Sequence, residues 1–114
     1  MIEHYSFGRI VIDGKEYNKD IIITTQGVIP NWWRREGHRL SIEDLEGRID
    51  FNLDVLIIGT GYYGVMKVPE EVIEELRKRG IKEVIVKPTK EACKIFNEFL
   101  KKGVEVVAAL HLTC

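Results

Sequence analysis

Apolar residues in this chain fall into short runs through the first half and gather into longer blocks through the second. Phe7 to Ile12 alternates loosely, Asp13-Gly14 follows, and Lys15-Glu16-Tyr17 returns. An Asp-Gly pair between two such runs predicts a two-residue hairpin turn, because both central positions need positive φ. Ile21-Ile22-Ile23-Thr24-Thr25 and, past Gln26-Gly27, Val28-Ile29 are β-branched runs too short for helices and suited to sheet. Pro30 should close the second run or put it at an edge, since it offers no ladder donor. Arg39-Leu40 carries a weak strand signal. Ser41-Ile42-Glu43-Asp44 is a capping pattern with a carboxylate at the third helical position. The helix it opens must be short, because Gly47 follows almost at once.

The rhythm then changes. Val55-Leu56-Ile57-Ile58 is an uninterrupted apolar run, the pattern of a strand buried on both faces. Pro69 marks a helix start, Val72, Ile73 and Leu76 supply its apolar stripe, and Gly80 ends it. Acids lead that helix and Arg77, Lys78 and Arg79 trail, which suits the macrodipole. Val84-Ile85-Val86 is the next strand. Thr89 is expected to cap a second helix carrying Ala92, Cys93, Phe96, Phe99 and Leu100, and Val104 to Leu112 is a last strand. Strand, helix, strand, helix, strand predicts parallel pairing with right-handed crossovers. The fold class is therefore α/β: one three-layer domain over residues 1–114, with a mixed, mainly parallel central sheet, helices and an N-terminal β-rich layer.

Composition narrows the function. The chain has 114 residues, 45% of them hydrophobic and 31% charged, with a net charge of −1. Residues 1–50 carry 7 basic and 9 acidic groups, and the rest carry 10 and 9. No basic field exists to hold nucleic acid or an anionic membrane. Cys93 and Cys114 match no metal-binding or redox spacing, so free thiols are expected. Met1-Ile2-Glu3-His4-Tyr5 has no leader pattern and no apolar run approaches a membrane span, which points to the cytoplasm. The abundance of Lys, Glu, Ile and Val with little Gln suits a thermophilic prokaryote.

One segment looks like chemistry. Gly59-Thr60-Gly61-Tyr62-Tyr63-Gly64 matches G-x-G-x-x-G directly after a strand. In the dinucleotide fingerprint those glycines form the strand-to-helix turn, so that pyrophosphate meets the helix N-terminus. Here the helix begins only at Pro69, and Lys87 stands where an acid should hold a ribose. No nicotinamide, flavin or other cofactor is expected, and no metal. Two readings remain for the glycines: a sharp bend at the end of a buried strand, or a crevice in which Gly59, Thr60 and Gly61, with Thr89 and Asn97, bind a small anion. Trp32-Trp33-Arg34-Arg35 is a local basic-aromatic cluster of the residue types favoured at protein interfaces. Cys93 has no base beside it and reads as a small hydrophobe. His111 lies between Leu110 and Leu112, on the opposite face from both.

Asp54-Val55-Leu56-Ile57-Ile58-Gly59-Thr60-Gly61, Pro69, Thr89-Lys90-Glu91-Ala92-Cys93 with Phe96-Asn97, and Val106-Val107-Ala108-Ala109-Leu110 together resemble a known family. It comprises uncharacterised archaeal and bacterial proteins, the adipogenesis-associated domain proteins, and the third assembly factor of mitochondrial respiratory complex I. The resemblance implies a three-layer fold and no established reaction, cofactor or substrate. For the eukaryotic relatives it implies protein contacts in building a membrane enzyme. A non-catalytic interaction or assembly protein is the leading expectation, and a small-anion binder or enzyme at Gly59–Gly61 the alternative. The expected partner is another protein rather than nucleic acid, and self-association is left open.

Overall fold

In the computed structural model, which describes residues 1–114, β1 (Ile2–Ser6), β2 (Arg9–Ile12) and β3 (Lys15–Tyr17) form a three-stranded antiparallel sheet in that order. Asp13 and Gly14 make the turn between β2 and β3 at φ of 49° and 81°, the left-handed pair that the sequence demanded. β4 (Ile21–Thr24) and β5 (Gly27–Ile29) form a second hairpin, which Pro30 closes.

The chain then runs through an irregular segment to a 3₁₀ turn (Ile42–Asp44). Ser41 opens that turn: its backbone N–H and its hydroxyl both donate to Asp44 Oδ2, each at 2.9 Å. Arg39 makes only isolated bridges, to Glu36 and Lys67, so the Arg39-Leu40 signal marks a contact rather than a strand. β6 (Val55–Gly59), α1 (Glu70–Lys78), β7 (Glu83–Lys87), α2 (Thr89–Lys101) and β8 (Val106–Leu110) follow.

The central sheet has five strands in the order β5-β4-β8-β6-β7. It is mixed: β6 pairs in parallel with β7 and β8, while β4 pairs antiparallel with β8 and β5. Alternation along its strands divides the interior into two cores. Ile21, Ile23, Val55, Ile57, Val106, Ala108 and Leu110 face Ile10, Ile12, Ala92 and Phe96, from the small sheet and α2. Ile22, Leu56, Ile58, Val107 and Ala109 face Leu40, Leu45, Val72 and Leu76, on the side of α1 and the 3₁₀ turn. A strand buried on both sides has no polar face to offer, which is why β6 and β8 are unbroken apolar blocks. Each such Val, Leu or Ile removed from water contributes roughly 1.5–3 kcal/mol, so these two strands anchor the domain. No helix is long and apolar enough to cross a membrane.

Candidate functional site

At the carboxyl end of β6 the chain bends through Thr60 and Gly61, and the bend is held by its own molecule. Thr60 N–H donates to Lys87 O at 2.9 Å and Gly61 N–H to Thr89 Oγ1 at 2.8 Å. Tyr62 N–H donates to Thr113 O at 2.6 Å and Val65 N–H to Cys114 O at 3.0 Å. The Thr89 hydroxyl in turn donates to His111 O at 2.6 Å. Thr89 therefore caps nothing: Pro88 is the extended residue before α2, and the fully buried Thr89 is its first helical residue. The bend needs glycine twice. A Cβ on Gly59 would meet Leu110 and the Thr89 hydroxyl at 2.8 Å, and Gly61, at φ 108°, lies against the Thr113–Cys114 backbone.

The structure thus joins Gly59, Thr60, Gly61 and Thr89. Asn97 belongs elsewhere. Its side-chain oxygen accepts from Ile2 N–H at 2.9 Å and its amide donates to Ile2 O at 2.8 Å, pinning β1 to α2. The helix after the bend starts at Glu70, well past Gly64, and the helix whose first residue meets these glycines is α2, where Thr89 N–H donates to Gly61 O at 3.1 Å.

The Trp32–Arg35 cluster alternates in and out. Trp32 is buried and its indole N–H donates to Asp44 O at 2.9 Å, whereas Trp33 is 71% exposed. Arg34 is buried with its guanidinium 4.7 Å from the Trp32 ring, and Arg35 is exposed. Arg34 Nη1 lies 2.8 Å from Asp20 Oδ2, and Nη2 donates to Gly37 O at 3.0 Å. His111 Nδ1 lies 2.8 Å from the same Asp20 oxygen and 3.0 Å from Arg34 Nη2, while Leu112 N–H donates to Asp20 Oδ1 at 2.7 Å. A carboxylate can only accept and a guanidinium can only donate, so Nδ1 bonds either Asp20 or Arg34 but not both at once. Arg34 Nε and His111 Nε2 have no partner within the protein. Burial works to raise the Asp20 carboxyl. The hydrogen bonds from His111 and Leu112 and the charges beside it outweigh burial and hold it below the ordinary carboxylate range.

A third feature lies on the surface. Phe7, in the β1–β2 turn, and Tyr62 and Tyr63, in the loop after β6, are exposed and touch one another. Ring centroids lie 5.9 Å apart for Phe7 and Tyr62, 6.1 Å for Phe7 and Tyr63, and 5.1 Å for the tyrosine pair. Beside them Thr113 lines a cleft of about 540 Å³ with Asn18, Lys19, Asp20, Asn31, Trp32 and Trp33.

A family model described as a protein of unknown function, DUF498/DUF598, matches residues 2–111. The chain belongs to the DUF498/DUF598 family. It is similar to a solved conserved hypothetical protein from Pyrococcus horikoshii OT3, with 37% identity, a TM-score of 0.81, and coverage of 100% of this chain and 99% of that one. It is also similar to the protein MT938, with 28% identity, a TM-score of 0.77 and coverage of 100% and 98%. A third solved relative, described as an outer membrane protein from Bartonella henselae, has 25% identity, a TM-score of 0.82 and coverage of 99% and 94%.

Within this DUF498/DUF598 chain the three features do different work. The bend spends its amides on the protein itself. The Asp20–Arg34–His111 cluster ties β4, the irregular segment and the end of β8 into one unit. Only the aromatic face is turned outward. By residue type Arg34 suits an interface yet is buried, whereas Asp20, Phe7, Tyr62 and Tyr63 lie outside the expected sites. The available signal was Tyr62-Tyr63 itself, two large rings confined to a glycine-bounded loop that cannot bury them. Asp20 gave no local signal, since its partners lie far along the chain.

Proposed function

We propose that this protein is a non-catalytic interaction or assembly protein of the cytoplasm, and that its partner docks on the face made by Phe7, Tyr62, Tyr63 and Trp33. The observation that carries the reading is the contact of three exposed rings drawn from two separate loops. Such rings cost little side-chain entropy to immobilise and give large contact area, which is why aromatic residues anchor interfaces. Each loop is rigidly held, Gly8 N–H by Leu112 O at 2.9 Å and Tyr62 N–H by Thr113 O at 2.6 Å, so the face is formed before a partner arrives. The resemblance to the complex I assembly factor supports the same class of role. Of the four candidates in the basic-aromatic cluster, Trp33 and Arg35 are exposed, which supports a surface role for them, while Trp32 and Arg34 are buried. Against the anion-binding alternative, the amides of Thr60, Gly61 and Thr89 are already paired within the protein.

The test is affinity capture from the native organism with wild type and with the Phe7→Ser, Tyr63→Ser double variant. A Lys101→Ala change on the far end of α2 serves as control. The specific partner should fall at least about tenfold with the double variant, since loss of one interface anchor costs on the order of 2 kcal/mol. Retention of every partner at unchanged affinity sinks the assignment of this face.

A further inference from the structure

Three strand edges of this molecule are blunted. β1 gives the peptide groups of Ile2 to Asn97, and its register with β2 shifts between Ile2 and His4. β3 has three residues and exposes Lys15 and Glu16; β5 has three and ends at Pro30. Shortness, charge, proline and irregular register are the usual guards against edge-to-edge pairing.

β7 lacks two of these guards, shortness and irregular register, and its charges, Glu83 and Lys87, stand only at its ends with Pro88 beyond. It runs five residues, Glu83-Val84-Ile85-Val86-Lys87, in unbroken register with β6, and it is the last strand of its sheet. Glu83 N–H donates to Asp54 O and Lys87 O accepts from Thr60 N–H, both towards the β6 side. In a parallel pair alternate residues direct both peptide groups to one side, so Val84 and Val86 direct theirs outward. Ile85 and Val86 are only half-buried.

The strand is also complementary to itself. Turned antiparallel against a second copy about Ile85, it sets Val84 opposite Val86 of the other copy, where the four outward peptide groups of each chain can exchange hydrogen bonds. The same register sets Glu83 opposite Lys87 of the other copy, twice over, and Ile85 opposite Ile85. These are the close, non-hydrogen-bonded pairs on one sheet face. A parallel in-register pairing would instead put Glu on Glu and Lys on Lys. Within its own chain Lys87 has only an exposed contact with Glu91 at 3.6 Å, which is weak competition. We propose that two copies of this chain associate through β7, forming one continuous ten-stranded sheet with a two-fold axis at Ile85.

Sedimentation equilibrium of the full chain tests this across micromolar concentrations. Wild type should be dimeric. Glu83→Lys and Lys87→Glu should each weaken self-association at least about tenfold, because each variant faces like charges twice in its own homodimer. Mixed together, the two should form a heterodimer, and the E83K/K87E double variant should recover the homodimer. Val84→Pro, which removes an outward N–H and no bond to β6, should be monomeric with an unchanged far-ultraviolet spectrum. A monomeric wild type, or a dimer indifferent to both charge reversals, overturns the proposal. The charge variants are exposed and decide the matter even if the proline variant fails to fold.

Discussion

Arg34 is the residue on which most of the buried polar structure turns. It balances the Asp20 charge and lies against Trp32 and His111 at once. Removing one partner of a buried pair leaves the other uncompensated, so Arg34→Met should cost about 3 kcal/mol, read as a lower urea midpoint at pH 7. The pH dependence follows from Asp20. Its folded carboxyl titrates below its unfolded value, so its stabilisation is complete above the unfolded pKa and is lost as pH falls through the folded one. Wild type should therefore lose stability below about pH 4, and Asp20→Asn, weaker at pH 7, should show a flatter acid limb in paired urea titrations. Gly59→Ala forces a methyl into Leu110 and Thr89, whose Cα lies 3.3 Å from the new atom. It should cost about 1–3 kcal/mol, measured as a fall in thermal midpoint.

At the scale of elements, much was legible because the apolar period is a local property. The four-residue block of β6 marks a doubly buried strand, and Asp13-Gly14 marks the β2–β3 hairpin, without reference to anything distant. Partners far apart in the chain were not legible. Nothing near Ile21 says that β4 lies antiparallel to β8, and nothing near Asp20 announces Arg34 or His111. Thr89 shows the same limit: its residue type suits a helix cap, yet a hydroxyl donating to His111 and accepting from Gly61 does more where the backbone is buried. Asn97 is another such link, between α2 and the small sheet. Asn97→Leu should free both peptide groups of Ile2 at a cost of about 2 kcal/mol and speed amide exchange in β1 ahead of β6.

For the molecule as a whole, burial sets its reactivity. Buried on the sheet-facing side of α2, the Cys93 thiol is pushed up to about 12 by desolvation. At pH 8 iodoacetamide should leave Cys93 unmodified in the native protein and modify it in urea, so its labelling reports global opening. The strand order has a kinetic corollary. β8 comes last in sequence yet sits third across the sheet, and the β4–β5 hairpin meets the parallel strands only through it. A nascent chain halted before Val106 would hold β4 and β6 as two bare, largely apolar edges with nothing between them. The sheet closes only when β8 enters that gap, so its completion depends on pairings between segments far apart in the chain.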